Sequence, residues 1–359
     1  MKTINWRNGL FLCGGMVLAA APTAAESGKF TPSLTGALSI EIESDNVYKS
    51  DDPTAELNDL YATIEPSFRL GLTEALSVNM GMTLEPVQDP APGEDREFDD
   101  HGIYVGDITI NYDTDDYSVY LGKFTPNFGI AWDVAPGMYG SDLAEDYELA
   151  ERLGLGGAVR FSGGGAGTLQ LSASAFFADT SFLNQSKITD RGDLRKSDGG
   201  LSNTEDLSSY AVALDGNDIP DLDGLHYHLG FSHQASGVGG GSDENAFAIG
   251  VEYAVGVSPD LEVTPMIEYA RLNDAGGVSG DDTGYLTAGV GATYGAWNMA
   301  ISYAGRDNDS ATSDDSVFQV SAGYAFEFGL GVDVGWRKGD EGGQDSETAG
   351  ILLTYGYEF

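Results

Sequence analysis

The sequence predicts an all-β fold, a transmembrane antiparallel β-barrel of about 16 strands with short turns at one end and long loops at the other. Three observations support this prediction. Apolar and polar residues alternate along many segments, which is the period of a strand with two different faces. After the first 25 residues, no stretch of about 18 apolar residues is present from which a membrane helix would form. The last segment is a strand that ends in aromatic residues, as membrane strands do at the lipid–water interface.

Residues 1–25 have the pattern of a secretory signal peptide and leave 26–359 as the mature barrel. Lys2 and Arg7 provide the positive charge ahead of an apolar stretch that is too short to span a bilayer. Small residues then form a cleavage site. The single cysteine, Cys13, lies within this segment. The mature chain is therefore predicted to have no disulfide, no thiol chemistry and no cysteine-based metal site.

The strands follow from the alternation, taken in chain order. In the third segment, for example, Leu76, Val78 and Met80 alternate with Ser77 and Asn79. The predicted strands are 34–44, 60–70, 75–85, 102–112, 117–124, 153–162, 167–178, 208–215, 225–232, 247–255, 260–272, 283–294, 297–305, 318–328, 330–338 and 348–359. The second face of these segments is too polar for the dry interior of a small soluble barrel. We therefore expect the apolar face to meet lipid and the polar face to surround water, with the sheet closed so that no edge is unpaired in hydrocarbon.

The connections between these segments alternate in length. Short ones occur at 71–74, 113–116, 163–165, 295–296 and 329. Long ones occur at 45–59, 86–101, 125–152, 179–207, 237–243, 273–282, 306–315 and 339–347. This alternation predicts short periplasmic turns and long extracellular loops.

The net charge of −40, from 57 acidic and 17 basic residues, argues against nucleic acid as a partner and favours cations. Acidic clusters in the long loops provide the oxygen ligands that Ca²⁺ takes, although no defined calcium motif is present and simple solvation explains them as well. These clusters are Asp45–Asn46, Asp51–Asp52, Glu94–Asp95, Asp99–Asp100, Asp307–Asp309 and Asp314–Asp315. His226 and His228 share the polar face of one strand, where a plain pair of lumen side chains is favoured over a metal site. No Ser-His-Asp arrangement is evident, so no enzymatic activity is predicted.

The loop 125–152 has an unusual composition for an exposed loop. Proline and glycine residues provide bends, and Phe128, Trp132 and Tyr139 are aromatic side chains that would anchor the loop to the inner wall of the barrel. Its acidic residues are Asp133, Asp142, Glu145, Asp146, Glu148 and Glu151. A charged loop on the cell surface is the alternative, but such a loop needs no dense aromatic set.

At this loop the chain resembles the Gram-negative general diffusion porins. The resemblance rests on the signal peptide, on the terminal strand with Tyr355, Tyr357 and Phe359, and on the run Lys123 to Gly129 that opens the loop. It departs from the family's Pro-Glu-Phe-Gly-Gly motif at Asn127 and Ile130, which stand in place of Glu and Gly. The resemblance implies 16 strands, a third loop folded inward as a pore constriction, and a homotrimer in the lipid bilayer of the bacterial outer membrane. It also implies that the terminal strand is the signal read by the barrel-assembly machinery.

Porins commonly set acids of the third loop against basic residues on the facing wall. By strand parity Arg69, Arg160 and Arg337 point inward, so these three are the expected partners. The resemblance implies a water-filled channel for passive diffusion of ions and small hydrophilic solutes, and the excess of acids predicts a preference for cations. Two alternatives remain open. The chain would instead be a substrate-specific channel, or a non-conducting barrel that acts as an adhesin or structural anchor and presents the loop 179–207.

Overall fold

The computed structural model describes residues 31–311 and 313–359, so the predicted signal peptide lies outside the described residues. The described chain forms one closed antiparallel sheet of 16 long strands. In chain order, β1 to β16 span Ser33–Ser50, Asn58–Gly71, Leu76–Pro86, His101–Asp113, Tyr117–Phe124, Arg152–Ser162, Thr168–Ala178, Ser209–Asn217, Leu225–Gln234, Glu244–Tyr253, Leu261–Asn273, Thr283–Tyr294, Trp297–Asn308, Asp315–Ala325, Leu330–Glu341 and Gln344–Glu358. After Tyr253, β10 is interrupted and continues as Val255–Ser258.

The sheet closes because β1 pairs with β16 as well as with β2. The closing register runs from Ala37 opposite Glu358 to Ser50 opposite Ser346. Closure gives every wall strand two partners, which is what a strand in hydrocarbon needs, because an unpaired backbone group there costs on the order of several kcal/mol. The predicted antiparallel barrel of sixteen strands is confirmed.

We name the two ends of the barrel by their connections. The loop end carries L1 to L8, which span 51–57, 87–100, 125–151, 179–208, 235–243, 274–282, 309–314 and 342–343. The turn end carries the connections 72–75, 114–116, 163–167, 218–224, 259–260, 295–296 and 326–329. The predicted alternation is confirmed with one exception: the predicted long loop 339–347 is a two-residue turn, because β15 and β16 continue almost to each other. The strand predicted at 318–328 is also displaced, since β14 ends at Ala325 and Phe326 to Phe328 form the next turn.

The two faces of the wall have the inverted polarity that the sequence predicts. Large apolar side chains point outward and are exposed, for example Leu121 at 56% and Ile301 at 46%. Polar side chains point inward and are buried, for example Gln319 at 0% and Thr287 at 2%. In a soluble protein such an apolar outer belt would be costly, because apolar area is stabilised only when it leaves water. The belt therefore fits a lipid environment.

Within the residues that the structure describes, helical structure is confined to the connections. L3 contains a single short α-helix, α1, at Ala131–Val134. The 3-10 helices are Pro53–Ala55, Glu145–Tyr147, Gly164–Ala166, Phe182–Asn184, Lys196–Asp198 and Ala275–Gly277. Across the described ranges, no helix is long and apolar enough to cross a membrane.

Two strands of two residues extend the sheet at the loop end. Arg96–Glu97 in L2 pairs in parallel with β2, and Lys187–Ile188 in L4 pairs with β4 opposite Gly102. β5 turns away into L3 and pairs with β4 only as far as Ile108, so the loop-end half of β4 would otherwise be an open edge. L4 therefore completes the wall at the point where L3 leaves it.

Phe359 closes the barrel at the turn end. Its backbone N–H and carbonyl exchange two hydrogen bonds of 3.0 Å with Gly36, and its ring packs edge-on against Phe68 at 6.1 Å. Deletion of Phe359 removes both bonds at the seam, so we expect a several-fold lower yield of assembled barrel, measured by heat-modifiable migration of the membrane fraction. Phe359→Tyr keeps the seam and is the matched control. A normal yield of the deletion variant would show that the terminal residue is dispensable for assembly.

Candidate functional site

L3 does not extend outward from the loop end but folds into the lumen along the inner wall. A row of inward-facing glycines on the wall strands makes room for it. A Cβ at Gly250 would lie 2.6 Å from Ile130, and one at Gly289 would lie 2.6 Å from Pro136. L3 atoms also lie close to where a Cβ would be at four other glycines of the wall, Gly230, Gly291, Gly335 and Gly350. Any larger side chain there would displace the loop, so the glycine row determines the path of L3.

The strongest anchor of L3 is Glu268 on β11, whose side chain is only 1% exposed. Its Oε2 accepts from the Ile130 N–H at 2.6 Å, and its Oε1 accepts from the Ala131 N–H at 3.0 Å and from the Tyr147 hydroxyl at 2.7 Å. Hydrogen bonds to a charged group contribute about 1.5–3 kcal/mol each. One buried carboxylate thus fixes both the start of α1 and the returning part of the loop.

A second anchor precedes α1 and uses one of the two predicted lumen histidines. The Gly129 N–H donates to His228 Nε2 at 3.0 Å, which places the ring proton on Nδ1, 2.7 Å from Asp215 Oδ1. The Asn127 side chain donates to the other oxygen of Asp215 at 2.9 Å. His228 is fully buried, and His226 lies 3.5 Å from the same carboxylate. His228 and Asp215 therefore each hold the start of L3 directly, and His226 lies beside Asp215.

The middle of L3 is held on the opposite side of the barrel. Gln319 on β14 donates to the Pro136 carbonyl at 2.9 Å, and the Tyr139 hydroxyl donates to Asp45 on β1 at 2.5 Å. Gly137 takes φ +99°, a conformation that favours glycine, and a Cβ there would also clash with Gln319. L3 therefore follows the inner wall from β7 round to β1 before it returns.

The space between L3 and the wall is a dry apolar core. Phe128 belongs to this cluster and is 7% exposed, and Trp132 is partly buried against it. The cluster also contains residues of the wall and of L3: Phe124, Ala131, Ala135, Leu143, Ala144, Tyr147, Leu149, Phe176, Met266, Leu272 and Tyr285. Of the three aromatic residues that the sequence suggested as anchors, Phe128 and Trp132 lie in or against this cluster, whereas Tyr139 lies against Gly335 and Gly350 of the wall.

Three of the six candidate acids on L3 are paired with cations of the wall or of other loops. Asp142 pairs with Arg337 at 2.7 Å and Asp146 with Arg306 at 2.6 Å. Glu151 pairs with the fully buried Lys123 at 2.6 Å and with Arg191 of L4 at 2.5 Å. Ion pairs of this kind neutralise charge and hold the loop in place. These acids bind L3 to the barrel more than they face the open lumen.

The other three acids, Asp133, Glu145 and Glu148, have no ion pair within the described ranges. Burial raises the pKa of Glu145, and the nearby carboxylates of Asp146, Glu85 and Glu341 raise it further. Glu85 belongs to β3, which makes no hydrogen bond with L3 among the described residues. Glu145 and Glu85 therefore lie within electrostatic reach of each other although no bond joins β3 to L3 among the described residues.

The wall opposite L3 is acidic. Five inward-facing acids of β1 to β4 form no ion pair within the part of the chain that the structure describes, namely Glu41, Glu43, Glu65, Glu85 and Asp107, whereas Asp59 pairs with Arg96 and Asp113 with Arg69. Glu43 lies within electrostatic reach of Asp142, as Glu85 does of Glu145. The opening is therefore bounded by carboxylates on both sides, whereas the family resemblance implied acids on one side and bases on the other.

The structure places the three predicted arginines at different heights. Arg337 contacts Asp142 of L3. Arg69 pairs with Asp113 at 3.6 Å and lies opposite Thr35, roughly 30 Å along β1 from the loop contact at Asp45. Arg160 binds the Thr114 carbonyl in a connection of the turn end. The prediction that Arg69 and Arg160 lie at the constriction is therefore wrong, since both lie near the turn end of the barrel. Strand parity predicts which face of the wall a residue is on, but not its position along the barrel axis.

These features describe a wide barrel with an internal loop, an acidic opening, and an apolar belt outside. A model of the Gram-negative porins matches residues 14–359, nearly the whole chain. The chain belongs to the Gram-negative porin family. It is an integral outer-membrane β-barrel, and it follows that the loop end is extracellular and the turn end periplasmic.

Solved outer-membrane channels share the fold of this porin at low sequence identity. The outer-membrane channel DcaP of Acinetobacter baumannii matches with a TM-score of 0.53 and 13% identity over 91% of this chain and 97% of that one. OpdK of Pseudomonas aeruginosa, solved with vanillate, matches with a TM-score of 0.55 and 10% identity over 91% of this chain and 99% of that one. OmpF of Salmonella typhi, solved in complex with daunomycin, matches with a TM-score of 0.55 and 15% identity over 91% of this chain and 97% of that one. No curated protein sequence matches the chain.

Several residues that build the site were not singled out from the sequence. Arg306 was missed because the predicted strand ended at 305, one residue short of it. Glu268 is inward by parity, but nothing in the sequence indicates that its partners are the backbone of a loop far away in the chain. Arg191 lies in the long loop 179–207, and nothing in the sequence indicates that it reaches Glu151.

Proposed function

We propose that this porin is a cation-preferring channel for passive diffusion of ions and small hydrophilic solutes, with its constriction between L3 and β1 to β4. The observation that carries the proposal is that Glu145 of L3 and Glu85 of β3 lie within electrostatic reach of each other and that neither forms an ion pair within the described ranges. A cation in such an opening meets opposite charge from two sides, whereas an anion is repelled from both. Charges further out count for less, since salt screens them over about 8 Å.

The paired cations do not cancel this field at the opening. Arg306 and Arg337 are each held by carboxylates on the L3 side, Arg306 by Asp146 and Asp315 and Arg337 by Asp142 and Glu341. Each guanidinium therefore contributes little net positive charge. Glu41, Glu43, Glu65, Glu85 and Asp107 of β1 to β4 have no such partner among the described residues, which supports a net negative charge around the opening.

The cation preference is expected to fall as the pH is lowered from 8 to 5. Burial raises the pKa of Glu148 to about 7, with further contributions from Asp133 and Glu145, and burial raises the pKa of Asp133 to about 6. A carboxyl is charged above its pKa and neutral below it, so these two lose their charge in this range, well above the usual carboxyl pKa of about 4. Reversal potentials across a KCl gradient, measured at stepped pH, would show the change.

The double variant Asp133→Asn with Glu148→Gln is the control for this pH dependence. It is expected to have a lower cation preference at pH 8 and a shallower decline down to pH 5, because Asp142, whose pKa burial raises to about 7, still loses its charge in this range. A steep profile in the double variant would assign the titration to other groups.

Liposome swelling distinguishes general diffusion from a substrate-specific channel. General diffusion predicts that the rate of swelling falls smoothly with solute size and rises linearly with concentration. A rate that saturates with one solute would instead indicate a binding site along the lumen, and no swelling at all would indicate a non-conducting barrel. We also propose that three copies assemble in the membrane, for which conductance steps in groups of three are the expected sign.

A further inference from the structure

L4 completes the wall at the extracellular end of β4 and brings a cation to Glu151 of L3. From β7 it runs to β4, where Lys187–Ile188 joins the sheet, and Gln88 of L2 donates to the Asp190 carbonyl at 3.1 Å. Arg191 follows directly, and its backbone N–H donates to Ser186 at 2.8 Å. The loop is thus fixed on both sides of the point from which the Arg191 side chain points down into the lumen.

The guanidinium of Arg191 occupies a fitted site. It forms a fork on Glu151, with 2.8 Å from Nη1 to Oε1 and 2.5 Å from Nη2 to Oε2. Its Cζ lies 3.7 Å from the centre of the Tyr104 ring, and Asn184 accepts from Nε and Nη2, both at 2.9 Å. Only 15% of the side chain is exposed. Tyr104 in turn donates to Glu85, which places a second carboxylate beside the ring.

Burial alone would raise the pKa of Glu151, but hydrogen bonds from Arg191 and Lys123 hold it below its ordinary value. Glu151 therefore stays charged over the physiological range. The site combines a charged carboxylate with fork geometry, an aromatic face and a backbone carbonyl acceptor. That combination suits a planar cation with several N–H donors better than a spherical ion. The two oxygens of Glu151 accept two parallel N–H bonds, and the Tyr104 ring stacks on a flat group.

We propose that this site is a binding position for guanidinium-bearing solutes, and that Arg191 is its tethered occupant. The proposal rests on the proposed channel function and names the class of solute that this part of the constriction recognises. A tethered ligand acts at a high effective concentration, on the order of millimolar or more for a short segment. A solute must therefore compete with Arg191, so binding in the intact porin is weak. A cavity of about 450 Å³, lined by Glu151, Arg191 and acids of L4, leads to the site.

The test is block of the potassium current by guanidinium ion in planar bilayers. In Arg191→Ala the site is vacant, and guanidinium is expected to block at a half-blocking concentration lower than in the unchanged porin by roughly tenfold. Tetramethylammonium, which has no N–H donors, is expected to block both proteins equally. Arg195→Ala removes a cation from an exposed position of the same loop and should behave like the unchanged porin. Adding Glu151→Gln to Arg191→Ala should abolish the gain.

Arg191→Lys is a second variant that removes the guanidinium from the site but keeps a cation on L4. Its half-blocking concentration for guanidinium should fall less than that of Arg191→Ala. Equal block of Arg191→Ala, Arg191→Lys and the unchanged porin would overturn the proposal. So would a gain that tetramethylammonium shares, because that would indicate only an added negative charge. These results leave the channel proposal intact, whereas absence of potassium current in the unchanged porin would contradict that proposal instead.

Discussion

Replacing Glu85 and Glu145 together by glutamine is expected to lower the potassium-over-chloride permeability ratio on the order of threefold or more at low ionic strength. The two carboxylates lie within electrostatic reach of each other at the opening, and neither forms an ion pair among the described residues. Glutamine keeps the size of both side chains, and the amide oxygen that Glu85→Gln introduces can still accept the bond from the Tyr104 hydroxyl. The measurement is the reversal potential across a KCl gradient, with single-channel conductance recorded in parallel.

Glu94→Gln is the matched control, since it removes one acid from an exposed position of L2. It should leave the ratio nearly unchanged, because salt screens a charge that far from the opening. If the double variant and the control shifted the ratio equally, the selectivity would come from the total charge of the extracellular loops and not from the constriction.

The second large effect is expected from Glu268→Gln, which should release L3 from the wall. The carboxylate accepts from three donors through its two oxygens. An amide turns one acceptor into a donor that faces an N–H or a hydroxyl, so at least one buried donor loses its partner. Such a loss costs about 1–3 kcal/mol, which is enough to populate other positions of the loop. We expect noisier single-channel currents with excursions to higher conductance.

Glu327→Gln, in an exposed connection of the turn end, is the control for this variant and should give quiet currents. The barrel itself should remain intact in both, as judged by heat-modifiable migration. Quiet currents of normal size in Glu268→Gln would show that the glycine row and the apolar core hold L3 without this anchor.

The wall of the barrel could be predicted from the sequence because it obeys a local rule. Residues such as Val78 and Ile301 mark the lipid face through period-2 alternation, and alternation requires no knowledge of distant partners. Strand ends were less accurate where polar residues continue a strand beyond the membrane. The extension of β15 and β16 to a two-residue turn is the clearest example, since Gly339 to Glu347 looks like a loop by composition.

The constriction was only partly predictable because its contacts join residues far apart in the chain. The composition of L3 indicated an inward fold, and parity indicated that Arg337 faces the lumen. Neither composition nor parity indicates the position of a residue along the barrel axis. Arg69 and Arg160 were therefore expected near L3, although they lie at the turn end. The partners Glu268 and Arg191 depend on where two loops cross the barrel. That path is determined by packing, here by inward glycines such as Gly250 and Gly289, whose role is invisible until the loop is in place.

The most direct test of the central claim is the reversal potential of the purified porin in a planar bilayer under a KCl gradient at pH 8. An opening bounded by carboxylates on both sides predicts discrete conductance steps and a reversal potential on the side of potassium. A reversal potential at zero or on the side of chloride would contradict the cation preference, and a bilayer without conductance steps would contradict the channel itself.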